Sequence, residues 1–163
     1  MPELKFLFKS DKEKIIEKLN YYGIKKLPYL LCMSGKEKIR GYSGSLSKEE
    51  LIDLNEEITL EIIGMYLLNT YEDVNSGLRL SFDAIYALKD QITKNILELD
   101  EKQAEEFMKG QDIALTKEDQ EKFKDEPKGF KIIKYKKDNE LIGTGKLTQD
   151  RIINYMPKER RLR

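Results

Sequence analysis

The stretch that decides the fold lies at residues 129–161 and reads GFKIIKYKKDNELIGTGKLTQDRIINYMPKERR. Apolar and β-branched runs alternate there with short polar turns, which is the pattern of antiparallel strands. The pattern predicts strands at residues 130–135, 141–147 and 151–155, joined by turns at 137–139 and 148–150. The C-terminal part of the chain is therefore expected to be dominated by strands.

This stretch is also the basic pole of the molecule. Residues 127–163 carry 11 Lys and Arg against 4 Asp and Glu, a net charge of +7, while residues 1–126 carry 19 against 26, a net charge of −7. The cations are interleaved with Phe130, Tyr135 and Tyr155. Phosphates attract cations spaced along a surface, and unpaired bases stack on aromatic or guanidinium planes. The pattern predicts a contact with RNA; a solubilising basic tail with ordinary core aromatics is the open alternative.

The sequence GTGK at residues 143–146 has the look of a phosphate-binding loop. A P-loop requires a glycine where Glu140 stands and Ser or Thr where Leu147 stands, so this reading fails. With the strand period of two, Gly143 and Gly145 instead share one face that is bare of side chains. We expect another backbone or a ligand to pack closely against that face.

The composition excludes several classes of catalytic and metal site. The chain contains no histidine, which rules out Ser-His-Asp and Cys-His catalysis and His-ligated metals. Cys32 is the single cysteine and lies in an apolar run, so it is expected to be a buried structural thiol. The carboxylates mostly follow solvent-facing helical positions. We therefore expect no catalytic residue, no metal and no cofactor.

Nothing in the sequence points to a membrane or to export. The longest apolar stretches, such as residues 62–68, are far shorter than the roughly 20 residues of a membrane-spanning helix. The first residues lack the basic-then-apolar pattern of a secretion signal. We expect a cytoplasmic protein that makes no membrane contact.

The first half of the chain alternates between strand and helix patterns. Strands are predicted at residues 4–8, 27–33, 38–42, 59–71 with a bend at Gly64, and 78–82. Ser10 with Glu13 and Ser47 with Glu50 form capping boxes that would begin two helices, and Asp83 would cap a third. A polar turn at residues 73–77 would join the last two strands.

A boundary between two domains is predicted near residue 92, which divides residues 1–92 from residues 93–163. Beyond the boundary we expect a strand at 95–99 and a helix that begins at Asp100 with Gln103 and ends at Gly110. Residues 116–128 are expected to be a loop or a frayed helix. The chain is thus predicted to be α+β, with a mixed α/β first domain and a second domain dominated by strands.

The C-terminal stretch resembles the final half of a PUA domain. The segment LIGTGK at residues 141–146 corresponds to the strand that follows the hairpin of such domains. The ending NYMPKERR at residues 154–161 is similar to the close of PUA-like domains attached to Nop2/Sun-type rRNA cytosine methyltransferases, which usually have a glycine and a leucine at the positions of Glu159 and Arg160. The helix that ends at Gly110 occupies the place where PUA domains carry a glycine-led loop beside the RNA groove.

The whole chain also resembles two-domain ribosome-biogenesis factors, the archaeal relatives of a nucleolar large-subunit assembly factor. In these proteins an α/β pre-PUA domain precedes a PUA domain, and residues 64–66 and 77–81 correspond to the pre-PUA hairpin. The resemblance implies a PUA-like β pseudo-barrel for residues 93–163. It also implies a non-catalytic protein that binds rRNA or pre-rRNA, and no DNA, in ribosome biogenesis or rRNA modification.

The residues predicted to contact RNA are the cations and one aromatic residue of the basic pole, together with a glycine given by the resemblance: Lys131, Lys134, Lys146, Arg151, Tyr155, Lys158, Arg160, Arg161 and Gly110. A second hypothesis is a protein–protein adaptor, whose acidic first domain binds a methyltransferase or a ribosome-assembly protein. A third, a carboxylate-based RNA-processing enzyme, lacks an acid/base constellation in the sequence.

Overall fold

A computed structural model describes residues 4–70 and 77–163 of the chain. Within these ranges the protein is an α+β fold with two five-stranded sheets. The predicted polar turn at residues 73–77 lies outside the described residues except for Gly77. Within residues 4–70 and 77–163, no helix is both long and apolar enough to cross a bilayer.

The first sheet is an antiparallel meander in which each strand pairs with the next along the chain. Its strands are β1 (Leu4–Phe6), β2 (Leu30–Ser34), β3 (Lys38–Tyr42), β4 (Met65–Asn69) and β5 (Arg79–Leu80). The helices α1 (Lys9–Leu19), α2 (Lys48–Glu57) and α3 (Phe82–Leu88) lie between or after these strands. Apolar residues of the strands pack with α1 and α3 in one core, which includes Leu19, Leu31, Ile39, Leu67 and Ile85.

The second sheet contains β6 (Ile96–Leu99), β7 (Ile113–Ala114), β8 (Gly129–Tyr135), β9 (Glu140–Leu147) and β10 (Arg151–Asn154), with helices α4 (Glu101–Met108) and α5 (Lys117–Lys122). Its spatial order is β6-β8-β9-β10-β7. The pair β6 and β8 is parallel and the other pairs are antiparallel. The sheet curls into a half-barrel whose edges are β6 and β7, so the predicted pseudo-barrel is an open one.

The two sheets meet along β8 and β9. Ile132 of β8 is fully buried in the core of the first sheet. The hydroxyl of Thr144 in β9 donates to the carbonyl oxygen of Leu80 at 3.0 Å, and the Tyr21 hydroxyl donates to the carbonyl oxygen of Phe130 at 3.1 Å. Strand β8 is therefore covered on one face by the first sheet and on the other by α4 and its own core.

Two of the predicted helix starts are wrong. Phe8, not Ser10, precedes α1, and no side chain caps that helix. The start of α3 is capped by Ser81, whose hydroxyl accepts from the Ala84 amide at 3.0 Å, so Asp83 falls inside the helix. The capping boxes at Ser47 and Asp100 are present, because in each the sequence places an acceptor and its reciprocal partner three residues apart.

One predicted strand is shorter in the structure, and one predicted loop contains a helix. A strand was predicted at residues 59–71, of which residues 59–70 are described, and within these only Met65–Asn69 is a strand, since Gly64 takes a φ of 69° and lies against the Gly41 backbone. Residues 116–128 include α5, which begins with a capping box between Thr116 and Asp119. The adjacent Phe123 is buried in the second core and anchors this segment.

The bare glycine face of β9 is closely packed, as predicted, and side chains cover it rather than a backbone or a ligand. A Cβ on Gly145 would lie 2.6 Å from Ile152 Cγ2 and 3.2 Å from Ile133 Cδ1. A Cβ on Gly143 would lie 3.0 Å from the Phe107 ring. The two glycines thus let α4 and the neighbouring strands approach β9 without a gap.

Candidate functional site

An open groove of about 520 Å³ lies where the first sheet meets the C-terminal segment; we call it the junction groove. From the first half of the chain it is lined by Arg79, Phe82 and Asp83. From the C-terminal half it is lined by Tyr155, Pro157 and Arg160. The groove is therefore a joint product of both halves, and neither half forms it alone.

Two cation–aromatic contacts cross the junction groove, and each half of the chain supplies the cation of one contact and the ring of the other. The guanidinium carbon of Arg79, from the first half, lies 5.0 Å from the ring centroid of Tyr155. The guanidinium carbon of Arg160, from the C-terminal half, lies 5.3 Å from the ring centroid of Phe82. Arg160 also forms an ion pair with Asp83 at 3.1 Å, and both side chains of this pair are 50% exposed. The contacts therefore stay within reach of solvent.

The aromatic and cationic surface continues from Tyr155 across the second sheet. The rings of Tyr155 and Phe130 meet edge to face, with centroids 5.2 Å apart. The ammonium of Lys146 lies 5.6 Å from the Phe130 centroid. These contacts form an unbroken series in the order Lys146, Phe130, Tyr155 and Arg79, which we call the stacking series. It consists of two adjacent aromatic rings with a cation at each end.

Arg151 lies on the same face of the sheet as this series. Strand β10 places Arg151, Ile153 and Tyr155 on one face, because alternate residues of a strand share a face. Lys146 pairs opposite Ile153, so Arg151 and Lys146 are diagonal neighbours. The Arg151 guanidinium donates to Asp150 at 3.4 Å, and this hydrogen bond is the main cause of the lowered pKa of the Asp150 carboxyl.

The tail after β10 is fixed against the end of α4. The side-chain amide of Asn154 donates to the carbonyl oxygens of Phe107 at 2.7 Å and of Gln111 at 2.9 Å. Arg161 packs its side chain on Gly110, whose φ is 87°, and donates from Nε to the Met156 carbonyl oxygen at 3.2 Å. Gly110 and Arg161, both predicted as RNA contacts, thus touch each other and hold the tail in place.

Three tail residues between these anchors, at positions 158–160, face solvent. Lys158–Arg160 forms one turn of 3-10 helix, and Lys158 and Arg160 are exposed. Of the predicted contacts, the structure brings Tyr155 and Arg160 together in the junction groove. Lys158 belongs to the same exposed turn as Arg160, and Lys146 and Arg151 lie along the adjoining sheet face.

Lys131 does not belong to this surface, contrary to the sequence prediction. Its side chain is fully buried, and its ammonium donates to Asn95 Oδ1 at 2.7 Å and to Glu126 Oε2 at 3.4 Å. The ammonium also lies 5.6 Å from the Tyr21 ring centroid. Burial lowers the pKa of Lys131, and the nearby Glu126 carboxylate opposes that effect. The sequence prediction missed this because Tyr21 comes from a distant part of the chain.

Lys134 is likewise separated from the junction groove. It forms an ion pair with Glu98 at 3.0 Å, and its side chain is only 22% exposed. It lines a different groove, together with Tyr86, Lys89 and Glu140. The hydrogen bond from Lys134 is the main cause of the lowered pKa of the Glu98 carboxyl.

Three residues of the junction groove were not predicted as site residues. Arg79 lies between Leu78 and Leu80 in an alternating strand, so its polar side chain on the open face was a signal in the sequence. Phe82 reads as a core residue, and Asp83 was assigned to helix capping. Phe82 and Asp83 line the groove only because the C-terminal tail packs beside them, and local sequence patterns do not predict such a long-range contact.

Within residues 4–70 and 77–163, no three or more Cys, Asp or Glu side chains gather in a group that could hold a metal ion. The chemistry available in the junction groove is therefore that of the guanidiniums, aromatic rings and single carboxylates already described.

The comparisons with known proteins concern the C-terminal half. Residues 94–162 match the family model described as the Methyltransferase RsmF PUA domain. The match spans β6 to β10 and the tail, so this half of the protein is a PUA-like domain. The comparison with curated proteins gives no match.

Proposed function

We propose, from the PUA-like domain at residues 94–162, that this protein binds RNA through the basic face of that domain. One observation carries the proposal. The half-exposed Lys146 contacts the stacking series directly, and Arg151 is its diagonal neighbour across β9 and β10. The exposed Lys158 and Arg160 lie on the turn that follows Tyr155. Cations along a surface with interleaved aromatic rings are the arrangement that binds phosphates and bases of RNA.

The predicted contacts divide into three roles under this proposal. Lys146, Arg151, Lys158 and Arg160 would neutralise phosphates, and Tyr155 would present its ring. Gly110 and Arg161 position the tail that carries two of these cations. Lys131 and Lys134 belong to the folding of the domain, since each is engaged with carboxylates away from this face.

The distribution of charge requires the RNA contacts to be local. Residues 1–126 carry a net charge of −7 and would repel a polyanion, while residues 127–163 carry +7. Such repulsion is screened beyond about 10 Å at 0.1 M salt. The phosphates of the RNA are therefore expected to lie along the basic face rather than over the acidic half.

A salt titration tests the proposal. If four phosphates are neutralised, the logarithm of the association constant for single-stranded RNA falls against the logarithm of salt concentration with a slope near −3, or roughly −0.7 per contact. Arg160→Ala is expected to reduce the affinity for every RNA sequence and to flatten the slope by about 0.7. The control is Lys9→Ala, which removes an exposed cation of α1 that is also paired with a carboxylate.

The result that contradicts the proposal is a wild-type protein that binds no RNA at low salt. An Arg160→Ala variant with the affinity and slope of the wild type would instead remove Arg160 from the contact surface.

The finer part of the proposal concerns the cellular role. We propose that the RNA is rRNA or pre-rRNA, and that the protein is a non-catalytic cytoplasmic factor in ribosome biogenesis or rRNA modification. The matched family model describes the PUA domain of a methyltransferase. The resemblance of residues 154–161 to the close of PUA-like domains of rRNA cytosine methyltransferases favours rRNA as the ligand. We also propose that residues 1–92 form a pre-PUA-like domain. Cross-linking to RNA in cells, followed by sequencing of the bound fragments, tests the identity of the RNA.

A second candidate function is that of an adaptor, in which the acidic first half binds a protein. Several large apolar side chains in this half are exposed, and the most exposed are Phe8, Ile58 and Ile62. Helix α2 nearby in sequence is acidic in its first turn and has no basic residue in its last. Capture of a methyltransferase or ribosomal protein that survives nuclease treatment, and that Ile62→Ser weakens, would favour this function.

A further inference from the structure

The geometry of the junction groove points to a more specific ligand: we propose that it takes one unpaired nucleotide, so that the protein selects bulged or single-stranded RNA over a continuous duplex. This inference rests on the proposed RNA binding. It adds the class of RNA and the place where a base enters.

The size of the groove suits one base and its sugar. Its volume of about 520 Å³ falls within the roughly 300–1,000 Å³ of clefts that enclose small ligands. A paired helix offers its bases only at the groove edges, whereas an unpaired base can be splayed out into a pocket. A cleft of this size, rather than a long channel or a flat face, is the shape that accommodates a splayed base.

The walls of the groove offer surfaces on which a base can stack. Tyr155 and Phe82 supply aromatic rings, and the guanidiniums of Arg79 and Arg160 lie over those rings. Bases stack on aromatic rings and on guanidinium planes alike. Because each half of the molecule contributes one ring and one guanidinium, a base in the groove can contact both halves at once.

The charges in the groove favour a base over a phosphate. Asp83 and Glu159 line the groove beside the two arginines, so the two carboxylates offset the two guanidiniums and a phosphate inside the groove would gain no net attraction. A neutral base does not depend on that attraction. The flanking phosphates can instead reach Lys146, Arg151 and Lys158, which lie on the adjoining face and tail, and the exposed part of the Arg160 guanidinium.

The polar groups at the floor of the groove are already engaged. The Thr144 hydroxyl donates to the Leu80 carbonyl oxygen, and the Ser81 hydroxyl donates to the Tyr66 carbonyl oxygen at 2.5 Å. Neither hydroxyl hydrogen is therefore free to donate to the edge of a base. We expect recognition by stacking, with little preference among the four bases.

The test uses the full chain and a hairpin RNA with 2-aminopurine as a single-nucleotide bulge. The matched probe is the same hairpin with 2-aminopurine paired in the stem. Binding is expected to change the fluorescence of the bulged probe only, and to be about tenfold or more tighter for the bulged RNA. Tyr155→Leu and Phe82→Leu should each remove most of that preference, and circular dichroism would check that both variants are folded.

The control variant is Tyr86→Leu, which removes an exposed ring that lies 5.4 Å from Phe82 but lines the other groove. It should leave the preference unchanged. Equal affinity for the two RNAs, without a fluorescence change, overturns the inference and leaves RNA binding intact. The inference is also overturned, with RNA binding intact, if Tyr86→Leu abolishes the preference for the bulged RNA while Phe82→Leu retains it. Failure to bind either RNA overturns the proposed function itself.

Discussion

Two groups of cation–aromatic contacts join the halves of this protein, and water reaches only one of them. At the first, the Lys131 side chain is fully buried beside the Tyr21 ring and is held by Asn95 and Glu126. At the second, in the junction groove, the Arg160 guanidinium lies over Phe82 with half of its side chain exposed.

The comparison shows that burial, rather than residue type, decides what such a contact does. A buried ammonium that lost its partners would remain desolvated, so the Lys131 contact resists disruption and holds the halves together. An exposed guanidinium exchanges one partner for another at little cost, so the contacts of the junction groove are open to a ligand. The predictions below test this difference, from the largest expected effect to the smallest.

Removal of the buried cation should have the largest effect. Lys131→Ala is expected to lower the free energy of unfolding by about 2–4 kcal/mol, because it leaves a cavity and takes the donor from Asn95 Oδ1. Lys134→Ala, a matched change on the same strand, removes a partly exposed ion pair and should cost less than about 1 kcal/mol. Urea denaturation of both variants measures the difference. Equal midpoints would show that the Lys131 contact contributes no more than a surface pair.

The pH dependence of stability should carry the signature of the same lysine. Burial lowers the pKa of folded Lys131 below its ordinary value of 10.5, so the unfolded chain retains the proton to a higher pH than the folded one. Stability contributed by Lys131 therefore rises with pH through the window from the folded pKa up to about 10.5. The stability of the wild type relative to Lys131→Met should increase over that window. Urea denaturation at a series of pH values measures it, with Lys134→Met as the reference.

The anchor of the tail should show coupling between its two members. Gly110→Ala is expected to lower the free energy of unfolding by about 1–2 kcal/mol, since alanine is strained at a φ of 87° and its Cβ would meet the Arg161 side chain. In an Arg161→Ala background the clash with the Arg161 side chain is absent, so Gly110→Ala should cost only the backbone strain. A double-mutant cycle by thermal denaturation measures the coupling. Arg163→Ala, another change in the tail, serves as the uncoupled control.

The smallest effect is expected at the exposed ion pair. Asp83→Asn removes a negative charge from the junction groove and should strengthen RNA binding by about two- to threefold, with stability unchanged within about 0.5 kcal/mol. Asp90→Asn, an equal change of charge in the other groove, should have less effect. Weaker binding by Asp83→Asn would mean that Asp83 holds Arg160 in the conformation that contacts RNA.

The parts of the fold that depend on neighbours in sequence were predictable. The strands expected at residues 130–135, 141–147 and 151–155 lie within one residue of β8, β9 and β10. Their apolar alternation and polar turns are local signals. The capping boxes at Ser47 and Asp100 are equally local, because each is closed by a residue three positions later.

The parts of the fold and of the site that depend on contacts between distant segments were not predictable from the sequence. Lys131 looks like any other cation of the basic pole, and only the approach of Tyr21 and Asn95 buries it. The junction groove requires Arg79 and Phe82 to meet a tail that lies beyond all five strands of the second sheet in the sequence. At the start of α3, Ser81 and Asp83 could both cap, and the bond from the Ser81 hydroxyl to Tyr66 favours the earlier start.

During synthesis on the ribosome, β6 and β7 leave the exit tunnel before either has a partner strand. Strand β6 must wait for β8, and β7 must wait still longer for β10, since these are their only neighbours in the sheet. The helix between them, α4, has 8 residues and is too short to be stable in isolation. The nascent chain therefore leaves Leu97 and Leu99 without a partner strand until β8 emerges, and Ile113 until β10 emerges, so the C-terminal sheet is completed only by its last strand.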